Sequence, residues 1–321
     1  MDKYTINDIS KRRFMSAGCR ILLLIIILSF FGCSRQASIS PNNKNNEGKP
    51  LLALSILPQK WFAQRIAGDR VRTLVLVGTG QNPHNYEPTP SQMKELSQSG
   101  AWVLSGAEFE IGLLPKIRGA FSGIAIIDGT AGVTFRMLEP DHHNDDGDEH
   151  GHDEHGIDRH TWLGCAPAKI LASHIRDALV LLNPADNDLY SENYLALIDE
   201  IENDFAALRI ELALLRGSSV YVYHPSFGYF LDEFGIRQEA VETGGKEPGP
   251  RELARLITEM KQEKIPAIFV QAQFPVNAAK TVAQASGAQL VSLDPLAEDW
   301  LANIRVMGNA LKNAIQAGAD L

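Results

Sequence analysis

The segment NDLYSENYLALIDEIENDFAALRIELALLR, Asn187 to Arg216, decides the fold. No Gly or Pro interrupts it, and Tyr194, Ile198, Ile201, Phe205, Leu208, Leu212 and Leu215 recur at spacings of 4, 3, 4, 3, 4 and 3. That rhythm lays one apolar stripe along a single long amphipathic helix. A helix of about 30 residues is roughly 45 Å long, enough to bridge two domains. It resists large hinge motion, which a flexible linker does not.

Short apolar runs alternate with helical stretches on either side. Before the long helix, Leu51–Leu57, Val71–Val77, Ala101–Leu104 and Ile124–Ile127 read as buried parallel strands. Thr89-Pro90 has the form of a helix start, and Pro167–Leu182 carries an apolar face that includes His174. After it, Ser219–Tyr223, Ala267–Val270 and Gln289–Leu293 read as strands. Helices are expected around Tyr229, over Arg251–Lys264 and over Val276–Ser286. Strand–helix alternation in both halves predicts an α/β fold: two α/β lobes with parallel sheets joined by one long rigid helix. The expected division is residues 51–186, 187–216 and 217–321. A length of 321 residues fits two domains at about 150 each.

The charge is uneven. Lys+Arg total 30 and Asp+Glu 39, for a net charge of -9. Eight of the acidic residues lie between Asp141 and Asp158, so the rest of the chain carries 31 acidic against 30 basic residues. No basic face points to nucleic acid. Three cysteines exclude a disulfide framework.

The N-terminus reads as an export signal. Lys11, Arg12, Arg13 and Arg20 precede an apolar run from Ile21 to Phe31, 11 residues long. A bilayer span needs about 20, whereas a basic stretch before a short apolar one is the pattern of a secretory signal. The run ends Phe30-Phe31-Gly32-Cys33, similar to a bacterial lipoprotein signal in which the Cys is lipidated. Met15 is an alternative start. Residues 1–33 are thus an expected signal peptide, and 34–50, rich in Asn, Ser, Lys and Gly, an expected flexible tether.

Four residues carry the candidate chemistry. His84 follows the Val71–Val77 strand within Gly78-Thr79-Gly80-Gln81-Asn82-Pro83-His84, His224 directly follows Ser219–Tyr223, and Asp294 directly follows Gln289–Leu293. The carboxyl ends of parallel strands are where ligands bind in α/β sheets. His160 lies in a loop seven residues before Pro167. A cleft between the halves could gather all four, and three imidazoles with one carboxylate suit Zn²⁺.

Four segments, in order, are similar to one family. They are Pro83-His84-Asn85-Tyr86-Glu87-Pro88, Arg159-His160-Thr161-Trp162-Leu163, His224-Pro225-Ser226-Phe227-Gly228-Tyr229-Phe230, and Leu293-Asp294-Pro295-Leu296. The chain resembles the zinc- and manganese-specific solute-binding lipoproteins of bacterial ABC importers from Leu51 to the C-terminus. Lys246-Glu247-Pro248 adds to the likeness. The resemblance implies that His84, His160 and His224 are metal ligands with Asp294 the fourth, a water being the other candidate for that position. It implies an extracytoplasmic, membrane-anchored zinc receptor, working as a monomer with an ABC permease and its cytoplasmic ATPase, and not an enzyme. Manganese and iron receptors of this type resemble the pattern with a carboxylate where His224 stands; imidazole favours zinc. Competing readings are a manganese receptor or adhesin of the same fold and a zinc hydrolase. No His-Glu-x-x-His signature supports the last.

Two places depart from the pattern. Gly164-Cys165-Ala166-Pro167 stands where the family follows its Leu with Asp-Pro, which alters the local turn and the cap of the next helix. Gln271-Ala272-Gln273-Phe274 replaces Glu-Pro-Gln-Phe, so Gln271 can only hydrogen-bond. Residues 141–159 hold His142, His143, His150, His152 and His155 among Asp, Glu and Gly. Such a segment cannot bury apolar surface. It reads either as an auxiliary, weak zinc-binding loop that feeds the cleft or as a solvated charged loop.

Overall fold

The computed structural model describes residues 48–138, 156–242, 248–274 and 277–319. Cys33, the signal segment, most of the tether, Lys246, Glu247 and the loop histidines His142, His143, His150, His152 and His155 lie outside the described residues. Among the described residues, no helix is long and apolar enough to cross a membrane.

Two parallel four-stranded sheets share one winding. The first contains β1 (Leu51–Ile56), β2 (Arg72–Val77), β3 (Ala101–Leu104) and β4 (Ala125–Asp128), ordered β2-β1-β3-β4. The second contains β5 (Ser219–Val222), β6 (Arg237–Ala240), β7 (Ala267–Val270) and β8 (Gln289–Ser292), ordered β6-β5-β7-β8. In each, the chain reverses its direction of travel at the central strand pair, so a crevice opens beyond the strands' carboxyl ends. A buried glutamine marks each reversal. Gln59 accepts from Ser55 N and Ile56 N and donates to Val103 O and Leu104 O, tying the end of β1 to that of β3. Gln271 joins the end of β7 to the residues after β5 by donating to His224 O at 2.7 Å and Ser226 Oγ at 3.0 Å.

The sequence reading misses β6. Arg237-Gln238-Glu239-Ala240 has no apolar run, because β6 is an edge strand with β5 as its one neighbour in the sheet. Expected strand ends also run one residue long: Leu57, followed by Pro58, already opens helix α1 (Leu57–Ala67).

The remaining helices are α2 (Pro90–Leu96), α3 (Glu108–Ala120), α4 (Cys165–Leu182), α5 (Asn187–Glu211), α6 (Gly228–Asp232), α7 (Pro250–Gln262), α8 (Asn277–Ser286) and α9 (Trp300–Ala319). Helix α5 is the long helix, but its α-helical part stops at Glu211. Leu212 leaves helical geometry and a 3-10 turn, Ala213–Leu215, turns the chain toward β5. The stripe is buried as its spacing requires: Ile201, Phe205, Leu208 and Leu212 are in the core, and Tyr194, Ile198 and Leu215 pack against it. It lies against α1 and α4 from the first half and α9 from the second.

The core is therefore continuous across the seam. One cluster runs from Leu52 and Trp102 through Phe205 to Val222, Phe269 and Trp300. A second covers the other face of the second sheet, with Tyr221, Tyr223 and Ile268 pointing opposite to Val220, Val222 and Phe269, as strand alternation demands. Two indoles fasten the seam. Trp162 Nε1 donates to Pro295 O at 2.8 Å and Trp300 Nε1 donates to Trp162 O at 2.7 Å. Trp300 also packs on Trp61, Phe62 and Phe205. Lys49–Leu321 forms one compact unit.

Helix α4 begins two residues before Pro167, and its missing cap comes from across the seam. Gly164 supplies no side chain, and Glu233 Oε1 accepts the Cys165 N–H at 3.0 Å. Glu233 is held in turn by Arg209 of α5.

Trp300→Ala is expected to cost about 3–5 kcal/mol of stability. Denaturant unfolding followed by far-ultraviolet circular dichroism should still show one transition, moved to lower denaturant.

Candidate metal centre

Each histidine is delivered by a short, locally fixed segment. His84 sits in a 3-10 turn, Pro83–Asn85, beyond β2, where Asn82 Oδ1 accepts the His84 N–H at 2.9 Å. His224 follows β5 by two residues, and its carbonyl is held by Gln271 as described. His160 precedes a 3-10 turn, Thr161–Leu163, that buries Trp162 and leads into α4. Between them they bring three imidazoles together from both halves.

The rings converge through Nε2. His84 Nε2 and His224 Nε2 are 2.9 Å apart, and His224 Nε2 and His160 Nε2 are 3.3 Å apart. One ligand atom from each lies within 4.8 Å of the others. Every Nδ1 faces a carboxylate instead: His160 Nδ1 meets Asp158 Oδ1 at 2.9 Å, His224 Nδ1 meets Glu242 Oε1 at 2.6 Å, and His84 Nδ1 meets Glu108. A carboxylate accepts from Nδ1–H, and in a neutral ring that leaves the lone pair on Nε2. Three such lone pairs pointing at one another have no proton to share and repel. A cation placed among them turns the repulsion into coordination. Two nitrogens about 2.0–2.1 Å from a tetrahedral zinc are separated by about 3.3 Å, so the donor set fits that ion in chemistry and in spacing.

Electrostatics keeps the donors ready. Burial, then the neighbouring His160 and His84, push the His224 imidazole well below its ordinary pKa, so it stays neutral and able to coordinate. Burial alone would raise the Asp158 carboxyl, but hydrogen bonds from His160 and Arg136 hold it below the usual range. Glu108 behaves likewise: desolvation is outweighed by His84, His160 and Arg159. It opens α3, and the loop before it is shaped by buried Glu110, which accepts from Ser105 N, Ser105 Oγ and Gly106 N.

Access is uneven. The His160 and His224 side chains are 10% and 8% exposed, whereas the His84 side chain is 29% exposed. Phe274 stacks on His224 with centroids 4.2 Å apart. Pro83, Trp162, Gln273 and Leu296 complete the walls.

Asp294 does not join the three histidines in this structure. Its Oδ1 accepts from Gln273 Nε2 at 2.7 Å and from Leu296 N at 2.9 Å, and its carbonyl accepts from Asn303. Cys165 is buried, outside the histidine group, with its thiol pKa raised by burial and by Glu233. His174 is half-buried and meets the Ala131 carbonyl.

Sequence reasoning overlooks Glu108, Asp158 and Glu242. The one readable signal is Asp158 two residues before His160, a spacing at which a carboxylate accepts from the backbone N–H as well as the ring. Glu242 follows the edge strand that the sequence conceals.

The family model described as zinc-uptake complex component A periplasmic, ZnuA, matches residues 53–314. The chain is 26% identical over 262 residues to the zinc-binding lipoprotein AdcA of Streptococcus pneumoniae, covering 79% of this chain and 52% of AdcA. It thus spans about half the length of the first curated relatives it matches. A crystal structure of ZnuA superposes with a TM-score of 0.75 at 32% identity, covering 83% of this chain and 98% of that one. A crystal structure of a ZnuA deletion mutant with zinc bound superposes with a TM-score of 0.74 at 33% identity, with the same coverage.

Removing a carboxylate behind a metal-binding imidazole typically weakens metal affinity about 10–100-fold. Glu242→Gln is expected to weaken zinc binding by that factor in chelator competition, with little change in the folded chain's circular dichroism.

Proposed function

The chain belongs to the zinc-uptake complex component A family, and from that premise we propose that it is an extracytoplasmic zinc receptor delivering Zn²⁺ to an ABC importer. The observation that carries this reading is the convergence of three Nε2 lone pairs, each ring backed by a carboxylate. The zinc named for AdcA and found in the ZnuA deletion mutant supports the choice of ion. In this reading zinc is cargo. His84, His160 and His224 hold it, and Asp294 or a water takes the remaining position.

The family reading makes the site that of a carrier and not of a hydrolase. Neutral imidazoles bind zinc well at pH 7, and the imidazole at His224 disfavours manganese, which prefers oxygen donors. His84 is the most exposed of the three donors, so the ion enters and leaves on that side. The partners are a permease and its cytoplasmic ATPase. Cys33 is the proposed lipid attachment site, residues 34–50 the tether, and the receptor acts as a monomer. The lobes are 51–186 and 217–321, with 187–216 as connector. His142, His143, His150, His152 and His155 are proposed as an auxiliary weak zinc loop.

Metal content and competition on the purified full chain test this. One tight zinc that manganese does not displace is expected. His224→Glu should lose that preference, and deleting residues 142–155 should lower total zinc while keeping the tight site. Several weak zincs, unchanged by His84→Ala, would contradict the reading.

A further inference from the structure

His160 is connected to the other half of the molecule through three side chains. Its ring Nδ1–H and its backbone N–H both donate to Asp158 Oδ1 at 2.9 Å. Asp158 is wholly buried, and its second oxygen accepts from Arg136 Nη1 at 2.8 Å. Arg136 Nε then donates to Asp232 Oδ2 at 3.0 Å. Asp232 is the last residue of α6, in the second half, and its side chain is 56% exposed.

The route is fixed on both flanks. Arg136 and Asp158 lie side by side on a short antiparallel stem: Asp158 N donates to Arg136 O at 3.0 Å, Leu138 N donates to Gly156 O at 2.7 Å, and Met137 pairs with Ile157. The stem cannot slip without moving His160, two residues on. From the second half, the Tyr229 hydroxyl accepts from Arg136 N and donates to Asp158 O, each at 3.0 Å. Gly228 leaves the guanidinium its space, since a Cβ there would lie 1.8 Å from Arg136 Nη1 and 2.7 Å from Asp158 Oδ2.

A buried carboxylate needs its partners held in place. Arg136 gives Asp158 that partner, and α6 holds Arg136. We propose that Asp232 is a positioning residue for the zinc site, acting through Arg136 and Asp158 on His160, so that zinc is retained only while α6 is docked on the stem. This rests on the receptor reading and adds to it a residue far from the metal that governs release. Undocking α6 would remove Asp232 from the Arg136 guanidinium and the Tyr229 hydroxyl from the Arg136 backbone N–H, loosening the hold on Asp158 and so on the His160 ring. The device couples a movement between halves to the loss of one ligand without a large hinge.

The same structure offers a matched control. Lys60 and Glu298 form another ion pair across the seam, at 2.7 Å. Its Glu298 side chain is 44% exposed, comparable to Asp232.

The experiment is zinc release from the zinc-loaded full chain into excess chelator by stopped flow, with thermal unfolding in parallel. Asp232→Asn should release zinc about two- to five-fold faster, the scale of an exposed ion pair. Arg136→Lys, which cannot hold two carboxylates in one planar fork, should release it about ten-fold faster or more. Asp232→Glu should restore the wild-type rate, and Glu298→Gln should leave it unchanged. Equal release rates for Asp232→Asn and Glu298→Gln would overturn the inference while the receptor reading stands. A wild-type chain without a tight zinc would overturn both.

Discussion

Three carboxylates facing three Nδ1 atoms are the constraint on which the site depends. Asp158, Glu242 and Glu108 fix each ring's tautomer and aim each Nε2 inward. Without them the imidazoles could share protons with one another or turn toward water. With them, the histidines form a set of lone pairs that has no internal hydrogen-bonding solution. The surrounding structure keeps the set from relaxing: Gln271 holds the His224 carbonyl, Asn82 holds the His84 backbone, and Phe274 covers the His224 ring.

That arrangement needs two halves that meet accurately. The continuous core through α5, the reciprocal bonds of Trp162 and Trp300, and the Glu233 cap on α4 all cross the seam. Trp162 stands two residues from His160, and its ring lies 5.5 Å from the imidazole. The fastening of the halves and the placement of a donor therefore share one short segment. A stiff seam limits the motion available for release, which favours small local shifts near His84, the most exposed donor, and near the Arg136 contact with α6.

Much of the architecture was legible because it rests on periodicity. The stripe from Tyr194 to Leu215 specified the connector, and apolar runs such as Ala267–Val270 specified buried strands. The edge strand Arg237–Ala240 was hidden because its sequence is polar, and the cap on α4 was hidden because Glu233 is distant in sequence. The histidines were legible from their places at strand ends and from four ordered motifs. Their carboxylate partners were not, since Glu108 and Glu242 are ordinary residues until the fold sets them against a ring. Asp294 was legible from its place just beyond β8, while the Gln273 and Leu296 contacts to its Oδ1 were not.

Zinc K-edge X-ray absorption on the full chain loaded with one equivalent of zinc tests the central claim most directly. Three imidazole nitrogens at about 2.0–2.1 Å, with the remaining scatterer oxygen, is the predicted result. A sulfur shell, or a shell dominated by oxygen with fewer than three imidazoles, would contradict it.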